Sequence, residues 1–382
     1  MIKNYTIISL YSSLFMTISL LTAYFPLWLN KAMQLDPKHI GFIISLSGIL
    51  KVFFSFAMAN FIKNYKFLKL FLLTSIIFMI LMFLMVHFAK DYLSFYILLT
   101  MILGFLIIFS PMLPSIETIY SELGNKSLNN YGKIRISGSI SFCLGVFFFG
   151  YLLNSYSVSI FPLILVSCLM VLFTSVLIIP NNLKKNKYNN MRKFKKVIKD
   201  EKNILFFIII CSLIQGTHAM YYGYSTMLWE RKGIDYLNIG ILWSFAIISE
   251  IIIFLVTDHH FKKKFLFKAL LFCSIIAAIR WGLNYFINSF YILLTIQTLH
   301  GVTFALTHYI MIYFINSKLK KSSRLYAQTL YYSLTSGIFI TVLSITCGYF
   351  MSYFDGEIGF LLMSFLSLFG FLLLLIKRGI NV

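Results

Sequence analysis

The feature that most constrains this chain is a run of about twenty almost wholly apolar residues, repeated from end to end. Twelve such runs can be marked, at 5–29, 40–61, 67–88, 92–121, 131–153, 158–179, 203–229, 237–257, 266–287, 290–315, 325–353 and 358–377. A bilayer core of roughly 30 Å is crossed by about 20 helical residues, whose backbone polar groups are all satisfied within the helix. Alternating ten-residue segments, the mark of a membrane β-barrel, are absent from the sequence. The expected fold class is therefore all-α integral membrane, with twelve transmembrane helices. The first run is too long for a cleavable leader and runs on into Pro26 and Trp28, so it is read as the first span.

One polar stretch interrupts the pattern. Residues 181–202 carry a dense set of lysines and Arg192, near the middle of the chain. The segment divides the chain into an N-terminal six-helix bundle, 1–180, and a C-terminal one, 203–382, with a cytoplasmic basic linker between them. A net charge of +21 would suggest nucleic acid in a soluble protein. Here the distribution matters more. Lys31, Lys38, Lys90, Arg231 and Lys232 fall on one side of the membrane, and Lys51 and Arg280 within it. The rest of the 33 Lys and Arg fall on the other side, Arg135 at its rim. Basic loops stay in the cytoplasm, so both termini and the linker are expected there. The basic loops suit lipid head groups, and no nucleic-acid partner is expected.

The halves repeat. Ile40-Gly41 recurs as Ile239-Gly240, and eleven residues on, Lys51 matches Glu250. Lys63 and Lys69 recur as Lys262 and Lys268, and SFYILLT stands at both 94–100 and 289–295. Two parallel six-helix halves, pseudo-symmetric about the membrane normal, form a transporter architecture whose substrate binds near the midplane. A channel would call for a symmetric oligomer or a filter loop, and neither is legible.

Ionisable groups inside spans are costly and mark either a structural pair or a transport site. Here they are Lys51 in the second span, Glu117 in the fourth, Glu250 in the eighth, Arg280 in the ninth, His218 in the seventh, and His300 and His308 in the tenth. Gln215, His218 and Tyr222 share a helix face, which can present donors and acceptors to a ligand or to neighbouring helices. His300 and His308, eight residues and roughly 12 Å apart, cannot share a metal. No metal and no cofactor are expected. His308 reads as a packing or rim residue. Ser137, Ser141 and Gly145 form a small-residue stripe for close helix approach. The five cysteines stand singly in spans and read as small packing residues. An intramembrane acyltransferase would need a carboxylate beside its histidine, as in His-x4-Asp, and neither His300 nor His308 has one. Enzymatic activity is therefore not expected.

Five stretches carry a resemblance: YGKIRISGSISF (131–142), QGTHAMYYGYS (215–225), LWSFAIISEIIIF (242–254), IRWG (279–282) and LHGVTFALTH (299–308). In their order and helix positions they resemble the major facilitator superfamily, in its phenylpropionate permease branch and the related lactose permease type of sugar–proton symporter. Pro114, Glu117 and Arg135 match a Pro-x-x-Glu followed eighteen residues later by Arg, the pair that holds sugar hydroxyls in that relative. Phe142 matches the aromatic that stacks on the sugar. Arg280 and His300 match residues of its proton-coupling network, whereas Thr303 stands where the relative has a carboxylate. The superfamily signature between the second and third spans is not legible at 59–67.

The resemblance implies a monomeric secondary transporter of the bacterial inner membrane, working by alternating access. The expected activity is proton-coupled uptake of a small polar organic solute, driven by the proton gradient. Glu250, Arg280 and His300 would couple the proton. Glu117, Arg135, Phe142, Gln215, His218 and Tyr222 would bind substrate, and Lys51 is a buried charge. Burial favours the neutral form of a carboxyl and a nearby guanidinium the ionised one, so movement of Arg280 between partners would switch Glu250. An efflux antiporter or an uncoupled facilitator of the same fold stays open as an alternative.

Overall fold

The computed structural model describes residues 2–61, 65–89, 92–123, 131–180, 203–260 and 265–377. The basic segment 181–202 and the side chains of Lys51 and Arg135 lie outside the described residues.

Every regular element among the described residues is helical. In chain order they form twelve helices. The first six are α1 (Ile2–Lys31), α2 (Pro37–Phe61), α3 (Tyr65–Ala89), α4 (Phe95–Phe109 with Met112–Leu123), α5 (Tyr131–Tyr156) and α6 (Phe161–Leu177). Then come α7 (Ile204–Gly216 with Ala219–Arg231), α8 (Tyr236–His260) and α9 (Leu266–Phe286). The last three are α10 (Phe290–Gln297, a π-helical turn Gly301–Leu306, and Thr307–Lys318), α11 (Lys321–Tyr332, a π-helical turn Ser333–Phe339, and Ile340–Tyr353) and α12 (Ile358–Ile376). Eleven of them are long and apolar enough to cross a membrane among the described residues. The remaining one, α2, has 25 residues, of which Pro37–Leu50 is the described apolar part.

Burial runs opposite to that of a soluble protein. Leu144, Phe148, Leu255, Phe369 and Leu372 are exposed, while Thr17, Ser212, Thr217, His218, Arg280 and Gln297 are buried. Apolar side chains turned outward cost nothing in hydrocarbon, and polar ones turned inward find partners there.

The chain divides into two compact units, and α2 and α8 each contribute residues to both. Unit 1 comprises Met1–Leu35, Ile49–Tyr188 and Asp235–Ser244. Within it α1 lies along α5 and α6, and α3 packs on α6 and α4. Its core is aromatic: Trp28 stacks on Phe161 with ring centres 5.1 Å apart, Phe25 sits against both, and Phe83 meets Phe105 edge-on at 4.7 Å. The expected close approach at the small-residue stripe is present. A Cβ on Gly145 would fall on Oγ of Ser19 in α1, and one on Gly138 would lie 2.8 Å from the Phe15 ring.

Unit 2 comprises Asp36–Gly48, Asn189–Ile234 and Phe245–Val382. Here α9 lies along α12, and two hydroxyls cross that interface: Ser274 donates to Ser367 O and Ser364 to Ala278 O, both at 2.7 Å. Helix α7 packs on α11 and α12. A buried hydroxyl that finds a carbonyl across a membrane interface adds to packing where apolar contact gives little net preference over lipid.

Candidate functional site

The buried polar residues of unit 2 converge on one side chain. Arg280, on α9, is fully buried. Its Nη1 donates to Thr303 Oγ1 at 2.9 Å and His300 Nδ1 at 3.0 Å, and lies 3.4 Å from His218 Nε2. Its Nη2 donates to Gln297 Oε1 at 3.1 Å. The guanidinium also lies 4.4 Å from the ring centre of Trp281 and 4.8 Å from that of Tyr221, within cation–π range. All four of these side-chain neighbours are neutral when the imidazoles carry one proton each.

Hydrogen-bond direction then assigns the two tautomers. An Nη1 that donates to His300 Nδ1 leaves the ring proton of His300 on Nε2, which faces Oε1 of Glu250 at 3.9 Å. Thr303, accepting from Arg280, turns its own proton toward His218 Nε2 at 3.2 Å. His218 therefore carries its proton on Nδ1 and donates to Gln215 O at 3.1 Å. His300 thus stands between Arg280, from which it accepts, and Glu250, 3.9 Å away with a side chain 13% exposed.

Local helix irregularity places these groups. Between the segments of α7, Thr217 and His218 break the regular ladder, and the Thr217 hydroxyl donates to Ile214 O at 2.7 Å. Thr217 Oγ1 in turn accepts from Trp281 Nε1 at 2.9 Å, which satisfies the buried indole. In α10 the π-helical turn follows directly on His300, and Gln215 Nε2 donates to Phe304 O within it at 2.7 Å. Gly301 N donates to Ser249 Oγ on α8 at 2.8 Å. Single π turns recur at functional sites because the inserted residue re-aims its neighbours. Arg280 Nε and Asn284 Oδ1 are among the buried atoms with no hydrogen-bond partner in the described residues. Each such group costs about 1–3 kcal/mol, which apolar packing alone would not retain.

Of the residues singled out in the sequence, Gln215, His218, Tyr222, Glu250, Arg280 and His300 come together in unit 2. Tyr222 stacks beside His218 at 5.7 Å, and Phe304 lies parallel to His300 at 5.2 Å. His308 stands apart, stacked on Tyr331, as a packing residue would. Glu117 is half-buried on the second segment of α4 and Phe142 is buried on α5, both in unit 1. Arg135 and Lys51 belong to α5 and α2, with side chains outside the described residues. Tyr221, Trp281, Asn284 and Gln297, which the sequence does not single out, join the cluster, and Thr303, a departure from the relative's carboxylate, accepts from Arg280. Gln297 precedes His300 by three residues, and that helical spacing was the available signal.

The chain is similar to known proteins over most of its length. The family model described as MFS_1 like family matches residues 5–362. The probable 3-phenylpropionic acid transporter of Escherichia coli (strain K12) is 24% identical over 344 residues, covering 88% of each chain. An uncharacterized transporter of Bacillus subtilis (strain 168) is 26% identical over 286 residues, 73% of this chain and 69% of that protein. Among solved structures, the nucleoside transporter NupG superposes with a TM-score of 0.78 at 16% identity, covering 100% of both chains. A POT family transporter in complex with 5-aminolevulinic acid gives 0.74 at 9% identity, over 98% of this chain and 95% of that one. At such identities these structures establish the fold.

Proposed function

This chain belongs to the MFS_1 like family, and from that premise we propose that it couples uptake of a small polar organic solute to proton entry across the bacterial inner membrane. It is a multi-pass membrane transporter of the MFS type and not an enzyme. The observation that carries the coupling is the adjacency of Arg280, His300 and Glu250, a fixed cation hydrogen-bonded to an imidazole whose far nitrogen lies 3.9 Å from a carboxylate oxygen. A carboxylate beside His300 gains or loses a proton without breaking the three hydrogen bonds that Arg280 donates to Thr303, His300 and Gln297. Its two forms differ in charge beside a buried cation, so its protonation shifts which conformation of the carrier is favoured.

The same proposal gives substrate contact to Glu117, Arg135, Phe142, Gln215, His218 and Tyr222, with the carrier working as a monomer and needing no cofactor. The relative's name makes aromatic carboxylic acids the first solutes to screen. The test uses protein reconstituted in liposomes with an imposed pH gradient. Glu250→Gln should lose uphill accumulation and keep downhill exchange. Accumulation at wild-type level in that variant would remove Glu250 from the mechanism.

Thr303 favours a second reading. The group that accepts from Arg280 at 2.9 Å is a hydroxyl, which does not ionise near neutral pH, and an uncoupled facilitator would need nothing more. Accumulation that persists after a protonophore collapses the gradient would rule out proton coupling. Equilibration without accumulation, under any gradient, would favour the facilitator.

A further inference from the structure

Helices α5 and α6 both lie along α1, but they touch each other little beyond the turn that joins them. An apolar groove of about 430 Å³ opens between them, with Ser13 and Met16 of α1 as its floor. Its walls include Phe148 and Leu152 of α5 and Leu163 and Val171 of α6. Small residues make the hollow: Ser13, Ser167 and Cys168 stand where longer side chains would fill it. The two serines donate back into their own helices, to Leu10 O at 3.2 Å and Leu163 O at 2.9 Å, so the surface they offer is apolar. From Ile160 to Val171 the groove follows α6 for roughly 16 Å, about half the hydrocarbon core of a bilayer.

At its mouth lies a second hollow of opposite character. The two meet at Tyr156, which lines both and is largely exposed. This pocket, about 370 Å³, is lined by Lys31 at the end of α1, by Asn154, and by Ser155, Ser157 and Ser159 around the α5–α6 turn. Ser157 holds φ at 141°, a sparsely populated region for a residue with a side chain, and its hydroxyl accepts from Ser159 N at 3.3 Å. None of the residues that line the pocket is acidic. Asp235, next to the lining residue Tyr236, accepts instead from the backbone and side-chain amides of Asn238, at 2.9 and 2.6 Å.

The other half of the chain supplies an internal comparison. Gly150 and Gly348 are equivalent positions, each against the hydroxyl of a buried tyrosine: Tyr24, which donates to Val146 O, and Tyr224, which donates to Ser344 O. Counting on from them, Ser157 and Ser159 correspond to Asp355 and Glu357. There Glu357 pairs with Lys232 at 3.0 Å, so that turn supplies its own anion for a nearby lysine. In unit 1 hydroxyls stand in both places, and the lysine that ends α1 lines a pocket of neutral polar groups. Such a pocket suits a phosphodiester, which carries one negative charge and accepts from ammonium and hydroxyl groups. An ethanolamine head group would add an ammonium, for which the lining has no carboxylate. A glycerol head group adds only hydroxyls, which serine and asparagine side chains can meet.

We propose that groove and pocket together hold one phosphatidylglycerol molecule, from the leaflet on the side of the α1–α2 and α5–α6 connections. Its phosphate and glycerol sit in the serine pocket beside Lys31, and one acyl chain lies between α5 and α6. All of the lining belongs to unit 1, and nothing is required of the solute carried.

The full-length protein, stripped of lipid in detergent, is titrated with palmitoyl-oleoyl phosphatidylglycerol or with the ethanolamine lipid of the same chains, and bound copies are read by native mass spectrometry. Wild type should hold one phosphatidylglycerol in preference to the ethanolamine lipid. Lys31→Gln and Ser159→Glu should each weaken that binding roughly five-fold, as for one charge at an anionic membrane surface. Arg231→Gln, at the corresponding end of α7, should leave it unchanged. Ser167→Phe fills the groove and should weaken binding without altering any charge. Should that variant fail to fold, Ser159→Glu on the exposed turn decides the matter. No retained lipid, equal binding of the two lipids, or unchanged binding in Lys31→Gln and Ser159→Glu would each overturn the proposal. An equal loss in Arg231→Gln would trace the effect to overall charge and overturn it as well.

Discussion

Thr303 shows how much one atom decides. Its Oγ1 accepts from Arg280 and turns its proton to His218, so it orders two of the strongest groups in unit 2. Thr303→Val keeps the shape and removes both roles, leaving a buried donor unsatisfied at a cost of about 1–3 kcal/mol. Thermal unfolding in detergent should therefore begin at lower temperature for Thr303→Val, while Thr303→Ser, which keeps the hydroxyl, stays near wild type. Equal stability of the two variants would show that the hydroxyl is not part of the network. Arg280, Glu250 and His300 were legible in the sequence because a charge or an imidazole inside an apolar run stands out by its desolvation cost. Gln297, Thr217 and Asn284 were not, because neutral polar residues are common in spans and gain a role only from the neighbour they meet.

Helix breaks are the devices that aim these side chains. The interruption of α7 at Thr217–His218 and the π-helical turns Gly301–Leu306 and Ser333–Phe339 contain no proline, so nothing in the sequence announces them. They persist because their freed backbone groups are taken up by neighbouring helices, as Gln215 takes Phe304 O and Ser249 takes Gly301 N. The small-residue stripe of α5 was legible, since four-residue spacing places Ser137, Ser141 and Gly145 on one face. Gly145→Leu should wedge α1 from α5 and cost about 1–3 kcal/mol or more through overpacking. Its unfolding temperature in detergent should fall, whereas Leu144→Ala on the adjacent exposed surface should change little. A tolerated Gly145→Leu would mean that the two helices do not need their close approach.

At the scale of the molecule, the asymmetric placement of Lys and Arg predicts the orientation in the membrane. A fluorescent protein fused after Val382 should fluoresce, as it does when it matures in the cytoplasm. A phosphatase active only outside the cytoplasm should be active when fused at Gln34, between α1 and α2. The reverse pattern would invert the topology. The sequence by itself determined the helical membrane class, the twelve-helix order, the internal repeat and the few ionisable groups worth following. Each of these follows from local hydrophobicity, helix periodicity or charge. Tertiary structure alone decided that His300 stands between Arg280 and Glu250, and that two tyrosine hydroxyls meet carbonyls of helices far away in the chain. Hydrogen bonds are short and directional, and their partners exist only once helices distant in sequence have packed at a fixed depth and rotation.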